Sequence, residues 1–360
     1  MARIVTVYNT ERDAARLEDM SYIRWFKISA ALAALGHEVD IATAEHKFRL
    51  HQPIHEMGPG LRRVPLSRVR WGAYDCVKTL FHQGFTTLTR FGGGGHRFVI
   101  SKLGSVVGSQ DTDGIYFYGR QRRHLFATQR RIAATSRYVT VLSEPARQLW
   151  IAHHGREDAV LLVPGAADRD VPPRGEDPYP DREPVRCLFA GNVYTSRTQA
   201  TANRVLIEKL NRLGALLDQR GARLYVLGPG NVRMLDPRHV TYLGSVSYHA
   251  SWNYLQHAHV GVLVAPGPFL HNNESTKIYH YLRVGLPIVT EAGYPNEHLV
   301  TESGLGHIVA NGDLTALADR AAAAAAASWD REKAVAFILA RHTWDTRAAV
   351  YDRVLRAQVA

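Results

Sequence analysis

Ser275, Thr276 and Lys277 stand together ahead of a short run, residues 278–284, that Gly285 and Pro287 bring to a stop before the apolar Ile288 and Val289. Two hydroxyl residues are suited to cap a helix start, and Gly-Leu-Pro to end it, so the stretch reads as loop, helix, stop and buried strand. On that helix Lys277 shares a face with His280 and Tyr281, three and four residues further on. A helix N-terminus with free backbone N–H groups, hydroxyls and a lysine is suited to an anion, and a phosphate or diphosphate is its natural guest. The plainer alternative is an amphipathic helix between two strands. Glu274 either holds a ligand hydroxyl or complements the helix dipole, and its polar neighbours favour the ligand.

These residues need a framework, and the chain supplies an alternation of strands and helices. Strands are expected at residues 4–8, 38–42, 63–66, 114–118, 138–142 and 160–164, with helices at 22–35, 71–90, 121–134 and 144–153 and a resumed helix at 97–107. Alternation of this kind predicts a doubly wound parallel sheet. Residues 169–183, dense in Pro, Asp, Glu and Arg, predict an exposed linker. A second alternating series follows, with strands at 185–190, 223–227, 240–243, 260–264 and 287–290 and helices at 202–220 and 251–258. The expected division is residues 1–168, a linker 169–184, residues 185–341, and a terminal helical segment 342–360.

Open α/β sheets bind ligands at the carboxyl ends of their strands. Two further loops of the second half belong there: Gly191-Asn192-Val193-Tyr194 with Arg197 behind it, and Gly228-Pro229-Gly230-Asn231, whose glycines allow a close backbone approach. The loop before the helix carries His271, which reads as an exposed loop histidine. Asp111-Thr112-Asp113 has the spacing of a metal loop but precedes a strand, so it reads as a cap or turn.

Composition limits the function classes. Hydrophobic residues at 46% and charged residues at 21% are those of a folded globular protein. Cys76 and Cys187 are the only cysteines and give neither a disulfide framework nor metal-ligand spacing, which suits a reducing compartment. The first residues already read as a strand, leaving no signal peptide, and the alanine run 321–327 favours helix rather than a membrane span. The net charge of +11 is concentrated: residues 60–137 hold fourteen Lys and Arg against three Asp. Nucleic acid, an anionic membrane or an anionic substrate are its candidate partners. Trp71, Tyr74, Lys78, Phe81, Phe85 and Leu88 recur at helical steps, with Arg70 and Arg90 at the borders. Such a stripe is either a core-facing helix or an interfacial helix on anionic lipid. No recognised nucleic-acid module accompanies the charge, which sets nucleic acid aside.

The pattern Ser-Thr-Lys-Ile-Tyr-x-Tyr-Leu-x-x-Gly-Leu-Pro-Ile-Val is similar to the donor-binding segment of GT-B glycosyltransferases. The resemblance implies two Rossmann-like domains with a cleft between them, the C-terminal one binding a nucleotide-diphosphate sugar and the N-terminal one the acceptor. It implies that Ser275, Thr276 and Lys277 hold the diphosphate and that the ribose lies one turn on. Many retaining members carry Glu-x7-Glu here. In this chain the two positions are Asn272 and His280, so His280 is the expected ribose ligand, while retention or inversion is left open. The segment also resembles the inverting xanthan glucuronosyltransferase type, which keeps the Lys, and a uronic acid donor is one reading of that likeness. Asn192, Tyr194 and Arg197 are implied near the diphosphate, Gly228 and Gly230 near the base, and Thr343-Trp344 at the start of a helix that crosses back to the N-terminal domain.

The function so implied is transfer of a hexose or uronic acid to a glycan or polyprenyl-linked acceptor in polysaccharide or cell-envelope assembly. The nucleotide sugar is then a substrate, and neither cofactor nor metal is expected, since cations and helix dipoles can stabilise the leaving diphosphate. Glu11 and Asp13, with Glu18 and Asp19, are candidate bases, and Arg120 is expected at the same crevice. Arg70, Trp71, Lys78, Phe81 and Arg90 are the expected membrane or acceptor face of a cytoplasmic protein peripheral on the inner face of the plasma membrane. Rival readings are a sugar-nucleotide epimerase of the same fold and a non-catalytic binding protein using the basic face.

Overall fold

The strands predicted from apolar runs assemble into two separate parallel sheets. The computed structural model describes residues 1–8, 20–43, 53–92, 95–108, 119–180, 185–194, 199–267 and 273–359. The chain divides into two compact units: the first takes the residues up to 108, Gly119–Pro164 and the C-terminal stretch from Trp344, and the second takes Gly165–Thr343.

The first unit's strands are β1 (Arg3–Val7), β2 (Glu38–Thr43), β3 (His55–Gly58), β4 (Leu61–Pro65), β5 (Cys76–Leu80), β6 (Val99–Lys102), β7 (Tyr138–Val141) and β8 (Val160–Leu162). They lie in the order β3-β4-β2-β1-β5-β6-β7-β8, and only β3 is antiparallel to its neighbour. Its helices are α1 (Met20–Ala34), α2 (Phe81–Arg90), α3 (Gly119–Thr135), α4 (Glu144–His154) and, from the end of the chain, α11 (Trp344–Val359). Parallel strands covered on both faces are buried along their whole length, and every residue of β5 and β6 is buried, Lys78 and Lys102 included. α11 packs on α1: Asp352 accepts from His37 Nε2 at 2.8 Å, while His37 Nδ1 accepts from the Ala2 amide, so the buried imidazole is held as a single tautomer.

The second unit's strands are β9 (Val185–Ala190), β10 (Ala222–Leu227), β11 (Val240–Gly244), β12 (Val260–Leu263), β13 (Ile288–Glu291) and β14 (Gly306–Val309), all parallel, in the order β11-β10-β9-β12-β13-β14. Its helices are α5 (Ala200–Asp218), α6 (Tyr248–His257), α7 (Thr276–Arg283), α8 (His298–Ser303), α9 (Leu314–Ala326) and α10 (Arg331–Arg341). The alanine run lies in α9, where Ala321 and Ala324 join the core formed by α5 and the sheet. Sheet growth changes side at β9, with β10 beyond one edge and β12 beyond the other.

Several local expectations are corrected. The helix expected at 71–90 is a 3-10 turn at Trp71–Ala73, then strand β5, then α2 alone, because the apolar residues of 76–80 are buried on both sides. The resumed helix at 97–107 holds strand β6 instead, and β3 was not foreseen. The Pro-rich segment is strapped to the second unit: Tyr179 is buried against Tyr225 and Tyr254, Asp177 pairs with Arg186 at 2.8 Å, and Gly175 N donates to Asn253. The strand expected at 114–118 lies outside the described residues. Among the described residues no helix is long and apolar enough to cross a membrane.

Candidate functional site

The carboxyl ends of β10, β9, β12 and β13 lie side by side, and the change of side at β9 makes this edge the place where an open sheet takes a ligand. The loops after β9 and β10 are bound to one another. Gly191 N donates to Leu227 O and Val193 N to Pro229 O, both at 2.8 Å, and Asn203 Nδ2 of α5 reaches the carbonyls of Val193, Tyr194 and Asn231. A Cβ on Gly228 would collide with the Gly191 carbonyl, and one on Gly230 with that of Val193. The close approach these two glycines permit is therefore between loops. Asn192 is exposed at the tip of the β9 loop, and Tyr194 is partly buried against the core.

Helix α7 supplies the charge. Its sheet-facing side carries Tyr281, whose hydroxyl accepts from Ala190 N at 2.8 Å and donates to Leu188 O at 3.1 Å, tying the helix to the end of β9. One turn earlier, the same face brings Lys277 to the switch point. A Cβ on Gly191 would lie 2.6 Å from Lys277 Nζ, and the ammonium stands 4.7 Å from the centre of the Phe189 ring. Among the described residues Lys277 has no carboxylate partner, and desolvation lowers its pKa to about 8. A desolvated ammonium of this kind is suited to pair with an anion.

The helix start is held from outside. Asn296, fully buried after β13, accepts from Ser275 N and donates to Ser275 O, both at 2.9 Å. Ser275 takes the N-cap position, yet its hydroxyl makes no capping bond, which corrects the expectation for it; its Oγ is buried without a partner among the described residues. Thr276 is the first helical residue. Glu274 acts as an anchor: one carboxylate oxygen accepts from Gly165 N at 2.6 Å and the other from Tyr279 Oη at 2.9 Å. His280 stacks on α6, with its ring 5.0 Å from Trp252 and 5.8 Å from Tyr248. Glu291 ends β13 fully buried, pairing with Lys209 at 2.7 Å and accepting from the amides of Ala265 and Gly312. Sequence reasoning missed Phe189, Glu291 and Asn296; a carboxylate closing an apolar strand was the available signal for Glu291.

Arg197, His271 and Asn272 lie outside the described residues, as do Glu11, Asp13, Glu18, Asp19, Asp111 and Asp113. Among the described residues no group of three or more His, Cys, Asp or Glu could hold a metal. The residues expected to share a basic face in the first unit are dispersed. Lys78 is a correction: it is 3% exposed, on β5, with its ammonium 4.8 Å from the Tyr351 ring, so it cannot present to a surface. Arg70, Trp71 and Arg90 lie toward the amino edge of the sheet, where Trp71 Nε1 donates to the carbonyl of exposed Phe91. Phe81 stands at the carboxyl edge, packed edge-to-face against Tyr8. Arg120 is exposed at the start of α3.

Two Rossmann-like units of this construction are the GT-B fold of glycosyltransferases, and solved structures share it over nearly the whole chain. Sucrose-phosphate synthase from Thermosynechococcus elongatus is similar at 15% identity and TM-score 0.67, with 99% of each chain covered. HepE from Anabaena, solved with UDP and glucose, is similar at 12% identity and TM-score 0.66, covering 99% of this chain and 100% of that one. WaaG, a glycosyltransferase involved in lipopolysaccharide biosynthesis, is similar at 13% identity and TM-score 0.58, covering 98% and 95%. No protein-family model matches the sequence, and no curated protein matches it.

Proposed function

We propose that the chain is a glycosyltransferase that takes a nucleotide-diphosphate sugar on its second unit. The observation that carries this reading is Lys277, without a carboxylate partner among the described residues and desolvated beneath Gly191 at the switch strand, two residues from Ser275, whose buried hydroxyl has no partner among the described residues. Diphosphate oxygens would meet the ammonium, the Ser275 hydroxyl and the first amides of α7, which together offset the charge that grows on the leaving group. Neither a cofactor nor a metal is called on. We assign His280, one turn along α7 from Lys277, to the ribose, and Asn192 and Tyr194 to the diphosphate. The solved complexes of HepE with UDP and UDP-glucose support uracil as the base.

The acceptor, a glycan or lipid-linked sugar, is assigned to the first unit, and the work to envelope or polysaccharide assembly, a reading supported by the likeness to WaaG and its part in lipopolysaccharide biosynthesis. Exposed Arg70, Arg90 and Phe91, with the arginines of α3, suit a peripheral position on an anionic membrane from the cytoplasmic side. The test is thermal: UDP, GDP, ADP and dTDP are added to the protein and to Lys277→Ala. A rise in Tm with one of them, lost in the variant, is expected; no rise with any overturns the reading. Co-sedimentation with vesicles of mixed anionic and neutral lipid, at low and high salt, tests the membrane position.

A further inference from the structure

The proposed transfer needs a group to take the proton of the acceptor hydroxyl. In the first unit, sheet growth changes side at β1, with β2 on one side and β5 on the other, so a ligand belongs at the carboxyl ends of β1 and β5. Helix α2 begins there with no connecting residue. Leu80 ends β5, and Phe81 opens the helix in the left-handed region at φ 55°, a conformation that costs a bulky residue about 1–3 kcal/mol. Gly84 presses the first turn onto β1, because a Cβ there would collide with the carbonyl of Val7, the last residue of that strand.

His82 and Gln83, the second and third residues of α2, therefore stand at the rim of this crevice. His82 is half-buried, and neither of its ring nitrogens hydrogen-bonds to a described residue. Desolvation, with His124 of α3 as the titratable neighbour, holds its pKa below the ordinary histidine value, which keeps the imidazole neutral and able to accept a proton. The side-chain oxygen of Gln83 is buried with no partner among the described residues.

We propose that His82 is the base that receives the acceptor's hydroxyl proton and that Gln83 holds an acceptor hydroxyl through its buried carbonyl oxygen; the inference rests on the glycosyltransferase reading. As the acceptor oxygen bonds the anomeric carbon, the bond from that carbon to the donor phosphate oxygen breaks. The electron pair leaves with the nucleoside diphosphate, and the proton passes to His82, which returns it to solvent. Such a step is a single displacement, so the product anomer is inverted.

The experiment measures nucleoside diphosphate release from UDP-, GDP-, ADP- and dTDP-glucose, with octyl β-D-glucoside as acceptor, for wild type, His82→Gln and Gln83→Leu. Expected is a fall in kcat of about 100-fold or more for His82→Gln, with Tm and nucleotide affinity unchanged and the acid limb of the wild-type pH–rate profile lost. Gln83→Leu raises KM for the acceptor and leaves that limb in place. Wild-type turnover with His82→Gln within threefold of it, or with the same acid limb, overturns the assignment of the base alone. Wild type that binds none of the nucleotides and turns over none of the donors overturns the glycosyltransferase reading and the base with it.

Discussion

Lys277 lies where the side chain of residue 191 would be: a Cβ on Gly191 would stand 2.6 Å from the lysine Nζ. The absence of one methyl group at the end of β9 lets the ammonium rest at the switch point against Phe189. Gly191→Ala should therefore move the ammonium rather than unfold the protein, since the far end of a lysine yields readily. The expected outcome is nucleoside diphosphate affinity weakened about tenfold by calorimetry, equivalent to about 1.4 kcal/mol, with Tm nearly unchanged.

If Lys277 holds the diphosphate as proposed, its protonation should govern binding. Its pKa is lowered to about 8, and only the ammonium attracts a diphosphate. Nucleoside diphosphate affinity should be level below that value and fall as pH rises through it, because bound anion favours the charged form. Lys277→Met should bind weakly at every pH and show no such decline. Calorimetric titrations from pH 6 to pH 9.5 check both.

Tyr281 supports the site from below through its two bonds to β9. Tyr281→Phe leaves the Ala190 amide in the protein interior without that acceptor, so a loss of about 1–3 kcal/mol is expected. Tm should drop by several degrees, and nucleotide affinity should fall with it as α7 loosens. A variant as stable as wild type would contradict the tether.

Lys78 makes the opposite contribution. Burial lowers its pKa to about 7 from 10.5, with Arg24 adding repulsion and Tyr351 and Cys76 as the other titratable neighbours. Between those values the unfolded chain holds the proton and the folded chain does not, so stability rises with pH from about 7 toward 10. Lys78→Met should stabilise the protein at neutral pH by something on the order of 2 kcal/mol and flatten that rise. Thermal melts at pH 7 and pH 9 are the measurement.

The order of strands and helices was legible where local rules act alone. The largely apolar strands β9, β10 and β12 announce themselves as buried parallel strands, and Gly285, with φ +65°, ends α7 where Gly-Leu-Pro predicted. Periodicity misled at residues 71–80. A lysine flanked by apolar residues matches a helix face as well as a strand buried on both sides, and only neighbouring strands resolve the two.

For the site, the sequence by itself determined the residue types at a helix start suited to an anion and their spacing, because capping, helix stops and i, i+4 faces are local matters. Only the tertiary structure decided where those residues point. It turned the Lys277 and Tyr281 face inward onto β9, made Glu274 an anchor for Gly165, left Ser275 Oγ buried without a partner among the described residues and brought Asn296 from beyond β13 to hold the helix start. Each of these depends on strands far apart in the chain lying side by side, since a buried hydrogen bond or a desolvated charge takes its energy from the neighbours that exclude water.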